Sequence, residues 1–181
     1  MKDSSSRRLF LQKSALATTG LAFLSSGVVN AFSAEIPFEG YNPYAEEKND
    51  LRTSSFGEHI RIKGVVLDQT GSLPLSNVMI EVWHLSPESN KYRHHAKFKT
   101  DSAGCYNFIT DFPAKDESKA NKIYFKLSDN SSERFNELYV DRQGANITCK
   151  FWKENQQLGE KLLPTTEKLL GALTINFNMS L

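Results

Sequence analysis

From Gly64 to Phe125 short apolar runs alternate with polar positions and are cut at regular intervals by Gly, Pro, Asn and Asp. Val65-Val66-Leu67 leads into a turn at Asp68-Gln69-Thr70-Gly71, and Val78-Met79-Ile80-Glu81-Val82-Trp83 alternates with the period of two that marks a half-buried strand. A third run, Tyr106-Asn107-Phe108-Ile109, follows the turn Thr100 to Gly104, whose glycine tolerates positive φ. Lys122 to Leu127 supplies a fourth run. The spacing predicts an all-β, two-layer antiparallel sandwich with Val66, Val78, Ile80, Val82, Tyr106, Phe108, Ile123 and Phe125 in its core.

The flanks are less regular. Residues 34–57 are polar and turn-rich and read as a linker or draped arm, in which Tyr41 and Tyr44 cover a sheet face or an inter-subunit seam. Beyond Val140 the chain turns at Arg142-Gln143-Gly144. A short strand is predicted from Ile147 to Trp152, a helical turn or two from Thr166 to Leu170, and a last strand from Leu173 to Met179 closing a sheet edge.

With 181 residues and 39% hydrophobic content, the chain is long enough for one domain with a real core, assigned to residues 58–181. The first 33 residues carry four of the 22 basic and one of the 21 acidic residues, which leaves the remainder at 18 against 20. A body so near neutrality gives no electrostatic reason to expect nucleic acid.

Those first 33 residues combine Arg7-Arg8-Leu9-Phe10-Leu11, a moderately apolar stretch from Ala15 to Leu24, and small residues near Ser33. They resemble a twin-arginine signal, which implies engagement of the membrane export machinery and a periplasmic or cell-envelope location. In such a compartment Cys105 and Cys149 are free to pair, although Cys105 beside Tyr106 also reads as a buried core thiol.

The order G-V-V-L-D-x-x-G-x-L-P-L-x-x-V-x-I-E-V-W-H from Gly64, then K-Y-R-H from Lys91, then T-D-x-x-G-x-Y-x-F-x-T-x-x-P from Thr100, resembles the core domain of the intradiol ring-cleavage dioxygenases. The likeness runs from about His59 to Val140. It implies a prealbumin-like sandwich and, in active members, a ferric iron held by two tyrosinates and two histidines, hard oxygens that keep the metal oxidised and imidazoles that complete a site open to catechol.

Tyr92 stands at the first tyrosinate position. The paired histidines of an H-I-H-F strand are replaced by Lys122 and Tyr124, and the segment from Ala114 to Asn121, where the second tyrosinate is due, is short and has no tyrosine. Protonated lysine offers a metal no lone pair. Lys119 stands near the family's anion-stabilising arginine, and Glu137 where a glutamine is usual.

His84, His94 and His95 lie close in sequence to Tyr92, but His84 also occurs in active members without being a ligand, and adjacent residues of a strand face opposite ways, so His94 and His95 do not share a site. Two readings follow. One is a non-catalytic protein that holds a small aromatic compound, a glycan or an envelope partner in a pocket drawn from Trp83, Tyr92, His94, Lys119, Lys122, Tyr124 and Glu137, with no cofactor. The other is a dioxygenase with an atypical Fe(III) site built on Tyr92.

Overall fold

The computed structural model describes residues 38–181, apart from 88, 116, 118, 119, 170 and 171. Residues 1–33, read above as resembling an export signal, and Lys119 lie outside the described residues. Among the described residues, ten strands form two five-stranded sheets. The first contains β1 (His59–Leu67), β4 (Cys105–Asp111), β8 (Thr165–Leu169), β9 (Ala172–Asn176) and β10 (Met179–Ser180). The second runs β3 (His94–Lys99), β2 (Met79–His84), β5 (Asn121–Ser128), β6 (Glu133–Val140), β7 (Ala145–Ile147), antiparallel throughout. No helix among the described residues is long and apolar enough to cross a membrane.

The sheets pack face to face as the alternation predicts, and all eight core residues named above are buried. Aromatic rings bridge the layers: Phe98 on β3 meets Phe108 on β4 at 5.4 Å between centroids, and Phe125 on β5 meets Phe177 at 5.6 Å. Gly104 turns the chain with φ 73°, as its position implied. Gly64 has a different task. A Cβ there would lie 1.9 Å from the carbonyl oxygen of Phe177, so only glycine lets the C-terminal segment close against β1.

That C-terminal segment departs from the sequence expectation. The last strand is split into β9 and β10, both parallel to β1, and β9 lies between β1 and β8 instead of closing an edge. The break is bridged by a side chain: Val65 N–H donates to Asn178 Oδ1 at 3.0 Å where a backbone carbonyl would otherwise stand. The helical turn predicted from Thr166 to Leu170 is instead strand β8 over Thr165–Leu169, because β9 supplies a complete hydrogen-bonding partner and overrides the modest helix propensity of Glu-Lys-Leu.

The strand predicted from Ile147 to Trp152 ends at Ile147 and gives way to helix α1 (Cys149–Glu154), whose N-cap Thr148 accepts Phe151 N–H on Oγ1 at 3.0 Å. A 3₁₀ segment, Gln156–Leu162, follows and buries Leu158 and Leu162. Cys105 and Cys149 are free thiols, both exposed; Cys105 begins β4 on the face away from the core while Tyr106 takes the interior position.

The residues before β1 cover open edges. Lys97 N–H donates to Glu46 O at 2.9 Å and Lys48 N–H to Lys97 O at 3.1 Å, which satisfies the outer side of β3. Ile109 N–H to Asn49 O at 2.9 Å and Leu51 N–H to Ile109 O at 2.8 Å do the same for β4. Unpaired strand edges invite association, and here one strap protects two of them.

Candidate functional site

Alternation along β5 sends Ile123, Phe125 and Leu127 into the core and Lys122, Tyr124 and Lys126 to the outer face of the second sheet. At one end of that face a cavity of about 550 Å³ is lined by Lys122 and Tyr124, by Tyr92 and Asn90 from the β2–β3 loop, by Lys115 and Glu117 from the β4–β5 loop, and by Leu85 and Glu39. The structure therefore brings Tyr92, Lys122 and Tyr124 together, as the sequence comparison implied. Glu137 lies opposite Tyr124 on β6, and its Oε2 is 3.8 Å from Lys122 Nζ. The same ammonium sits 5.2 Å from the centroid of the Tyr139 ring.

Trp83 and His94 go elsewhere. Trp83 shares the outer face but is only 1% exposed, because Tyr41 packs edge-on against it at 5.2 Å and its Nε1–H donates to Glu39 O at 2.9 Å. The strap holding Tyr41 crosses this face from β6 to β3. Phe38 stacks on Tyr124 with centroids 4.6 Å apart, and Asn42 Nδ2 is 3.1 Å from His95 Nε2. Gly40, at φ 81°, lies so close to Tyr92 that a Cβ would fall 2.1 Å from Tyr92 Cγ.

Tyr41 Oη donates to both oxygens of Glu81 at 3.0 and 3.1 Å. Partial burial and the adjacent Glu81 charge raise the phenol's pKa. Burial works against the charge of Lys126, yet its bond to Glu133 and the nearby Tyr41 and Glu81 raise its pKa and keep it cationic beside them.

His94 points to the opposite face, into the interior, so it and His95 do look opposite ways. Its Nε2–H donates to Asp111 Oδ2 at 2.9 Å and its Nδ1 accepts from Ser86 Oγ at 2.9 Å. This repeats the hydroxyl, imidazole, carboxylate order of a hydrolase triad. Ser86 is nevertheless buried, and its oxygen also accepts Arg93 N–H at 3.3 Å, so the group ties down the β2–β3 loop.

Asp111 further accepts from Thr53 N–H and Oγ1 at 2.9 and 2.6 Å. Desolvation pushes its pKa up, but these bonds and His94 outweigh it and leave the carboxyl below its ordinary value. His59 Nε2 is 3.2 Å from Asp111 Oδ1 without hydrogen-bond geometry.

Ferric iron does not fit the cavity's donor set. At Lys122, where the resemblance would put a histidine ligand, the ammonium is engaged by Glu137 and the Tyr139 ring, and a cation there offers a metal no lone pair. Among the described residues no group of three or more His, Cys, Asp or Glu gathers in a metal-binding arrangement. Sequence reasoning missed Glu39, Asn90, Lys115 and Glu117 as lining residues. Only the turn-rich character of the arm and the shortness of the β4–β5 loop hinted that these segments would wall the cavity.

No family model matches the chain, and no curated protein matches it significantly. Solved structures do. The dioxygenase domain of a dioxygenase carbohydrate-binding protein fusion from Streptomyces sp. SirexAA-E is similar over 80% of this chain and 94% of its own, with a TM-score of 0.59 and 17% identity. An intradiol ring-cleavage dioxygenase from Tetranychus urticae is similar over 81% and 90%, with a TM-score of 0.59 and 12% identity. 3-Chlorocatechol 1,2-dioxygenase from Rhodococcus opacus is similar over 77% and 68%, with a TM-score of 0.56 and 16% identity.

Proposed function

We propose that this chain, which has the fold of the intradiol ring-cleavage dioxygenases, is an exported, non-catalytic binding protein that uses the cavity between β5 and the two adjoining loops to hold a small molecule. One observation carries the reading: where the resemblance would put an iron-ligand histidine stands Lys122, paired with Glu137. Of the four donors a ferric site needs, Tyr92 alone matches in kind and place, while Tyr124 substitutes a phenol for an imidazole.

Ring cleavage requires a metal that takes both catechol oxygens and steers dioxygen onto the ring. What remains is a cavity within the roughly 300–1,000 Å³ range of small-molecule sites, held by a rigid sheet and roofed by a strap. Export is supported by Arg7-Arg8 and the apolar stretch after them.

The experiment is a turnover assay of the purified chain, loaded anaerobically with iron and then given oxygen, on catechol, protocatechuate and hydroxyquinol. No ring-opened product is expected. Product formed at a rate that scales with bound iron would establish the second reading, a ferric dioxygenase with an atypical ligand set.

A further inference from the structure

We infer that the cavity takes a neutral, polyhydroxylated molecule of the sugar class, an assignment that rests on the binding role just proposed. The first ground is what the aromatic side chains of the face already do. Tyr124 is stacked on Phe38 at 4.6 Å, Trp83 is covered by Tyr41 at 5.2 Å, and the Tyr92 ring lies against Gly40. A flat aromatic guest gains chiefly by stacking, and Tyr92 and Tyr124, though they line the cavity, are each already packed on one side by the chain itself.

The second ground is charge. The cavity wall carries two ammonium groups, Lys115 and Lys122, and two carboxylates, Glu39 and Glu117, with a third carboxylate, Glu137, 3.8 Å from Lys122 Nζ. An aromatic acid drawn to the lysines meets the glutamates, and a cation drawn to the glutamates meets the lysines, so neither gains net attraction.

Hydroxyl groups escape this conflict because each both donates and accepts. A ring of them satisfies ammonium donors and carboxylate acceptors at once, and the Asn90 amide adds one group of each kind. Any guest that leaves these polar groups unmatched forfeits their hydration without return.

The test is saturation-transfer NMR followed by calorimetric titration of the purified full-length chain. The panel holds neutral methyl glycosides of glucose, galactose, mannose, xylose and N-acetylglucosamine with their β-1,4 disaccharides, set against protocatechuate, benzoate and zwitterionic amino acids.

Saturable binding of at least one neutral sugar is expected, weakened tenfold or more by Lys115→Met and by Glu117→Gln. Both substitutions lie on an exposed loop, and circular dichroism checks that the fold survives them. Three results overturn the inference: aromatic acids or amino acids bind while sugars do not; no member of the panel saturates; or sugar binding is unmoved by both substitutions. In the first of these the binding role itself stands and only the ligand class falls. Iron-dependent ring cleavage in the assay above is the separate result that removes the binding role.

Discussion

His84 and Thr110 face each other across the sandwich, with Nε2 of the imidazole 2.7 Å from the threonine Oγ1. One residue ends β2 in the second sheet and the other lies on β4 in the first. The imidazole donates its Nδ1–H to Leu85 O at 2.7 Å, so Nε2 is the acceptor of the threonine hydroxyl. Both residues belong to the motifs that resemble the dioxygenases, and both serve the fold. Thr110→Val keeps the shape and deletes the donor, leaving a buried nitrogen unsatisfied. A loss of about 1–3 kcal/mol in urea unfolding is expected; a change under about 0.3 kcal/mol would show that the bond contributes nothing.

The same histidine sets a pH dependence. Complete burial, and secondarily the neighbouring His94, lower its pKa from 6.5 to about 3. Between those values the unfolded chain binds a proton that the folded chain refuses, so stability rises with pH across this window and is lost progressively as pH falls from about 6.5 toward 3. Asp111, whose folded pKa is lowered from 3.8, adds to the acid loss once pH drops below its unfolded value. In NMR titration the His84 ring signals should stay fixed from pH 8 to about 4.5, below the ordinary histidine range. A midpoint near 6.5 would contradict the buried neutral assignment.

The strap is held at Tyr41. Tyr41→Phe removes the bond to Glu81 and should cost about 1.5 kcal/mol, the low end for a charged acceptor because the phenol is only partly buried. Tyr41→Ala should uncover Trp83. In a Trp152→Phe background, which removes the exposed second indole, the expected readout is a red-shifted emission with increased acrylamide quenching. Emission identical to the Tyr41 parent would mean that the strap does not shield the indole.

The central strands were legible because β2, β4 and β5 each place alternate residues in one core, and period two reports that directly. The motif residues reinforce the pattern: Asp68 Oδ1 accepts the amides of Ser72 and Leu73 in its turn, and Tyr106 Oη donates to Phe177 O. The tail was not legible. All five residues of β8 are exposed, so no alternation betrays it, and the split between β9 and β10 depends on one asparagine side chain reaching Val65.

That Lys122 and Tyr124 stand where the resemblance would put histidines could be read from residue identity alone. Burial of Trp83 could not. It follows from a strap whose partners lie about forty residues away in sequence.

Export is tested by changing Arg7 and Arg8 together to lysine, which keeps the charge and removes the paired guanidinium groups of a twin-arginine signal. The precursor should accumulate in the cytoplasm. Normal appearance of the double variant in the envelope fraction would refute this route.

The proposal that the chain holds no catalytic iron is tested most directly by titrating ferric iron into the purified chain and following the visible spectrum, with bound metal counted after desalting. Tyrosinate bound to ferric iron produces a charge-transfer band. With Lys122 paired to Glu137 where the resemblance would put a ligand, the expected result is a solution that stays colourless and retains no stoichiometric iron. A visible phenolate band that saturates at one iron per chain would contradict it.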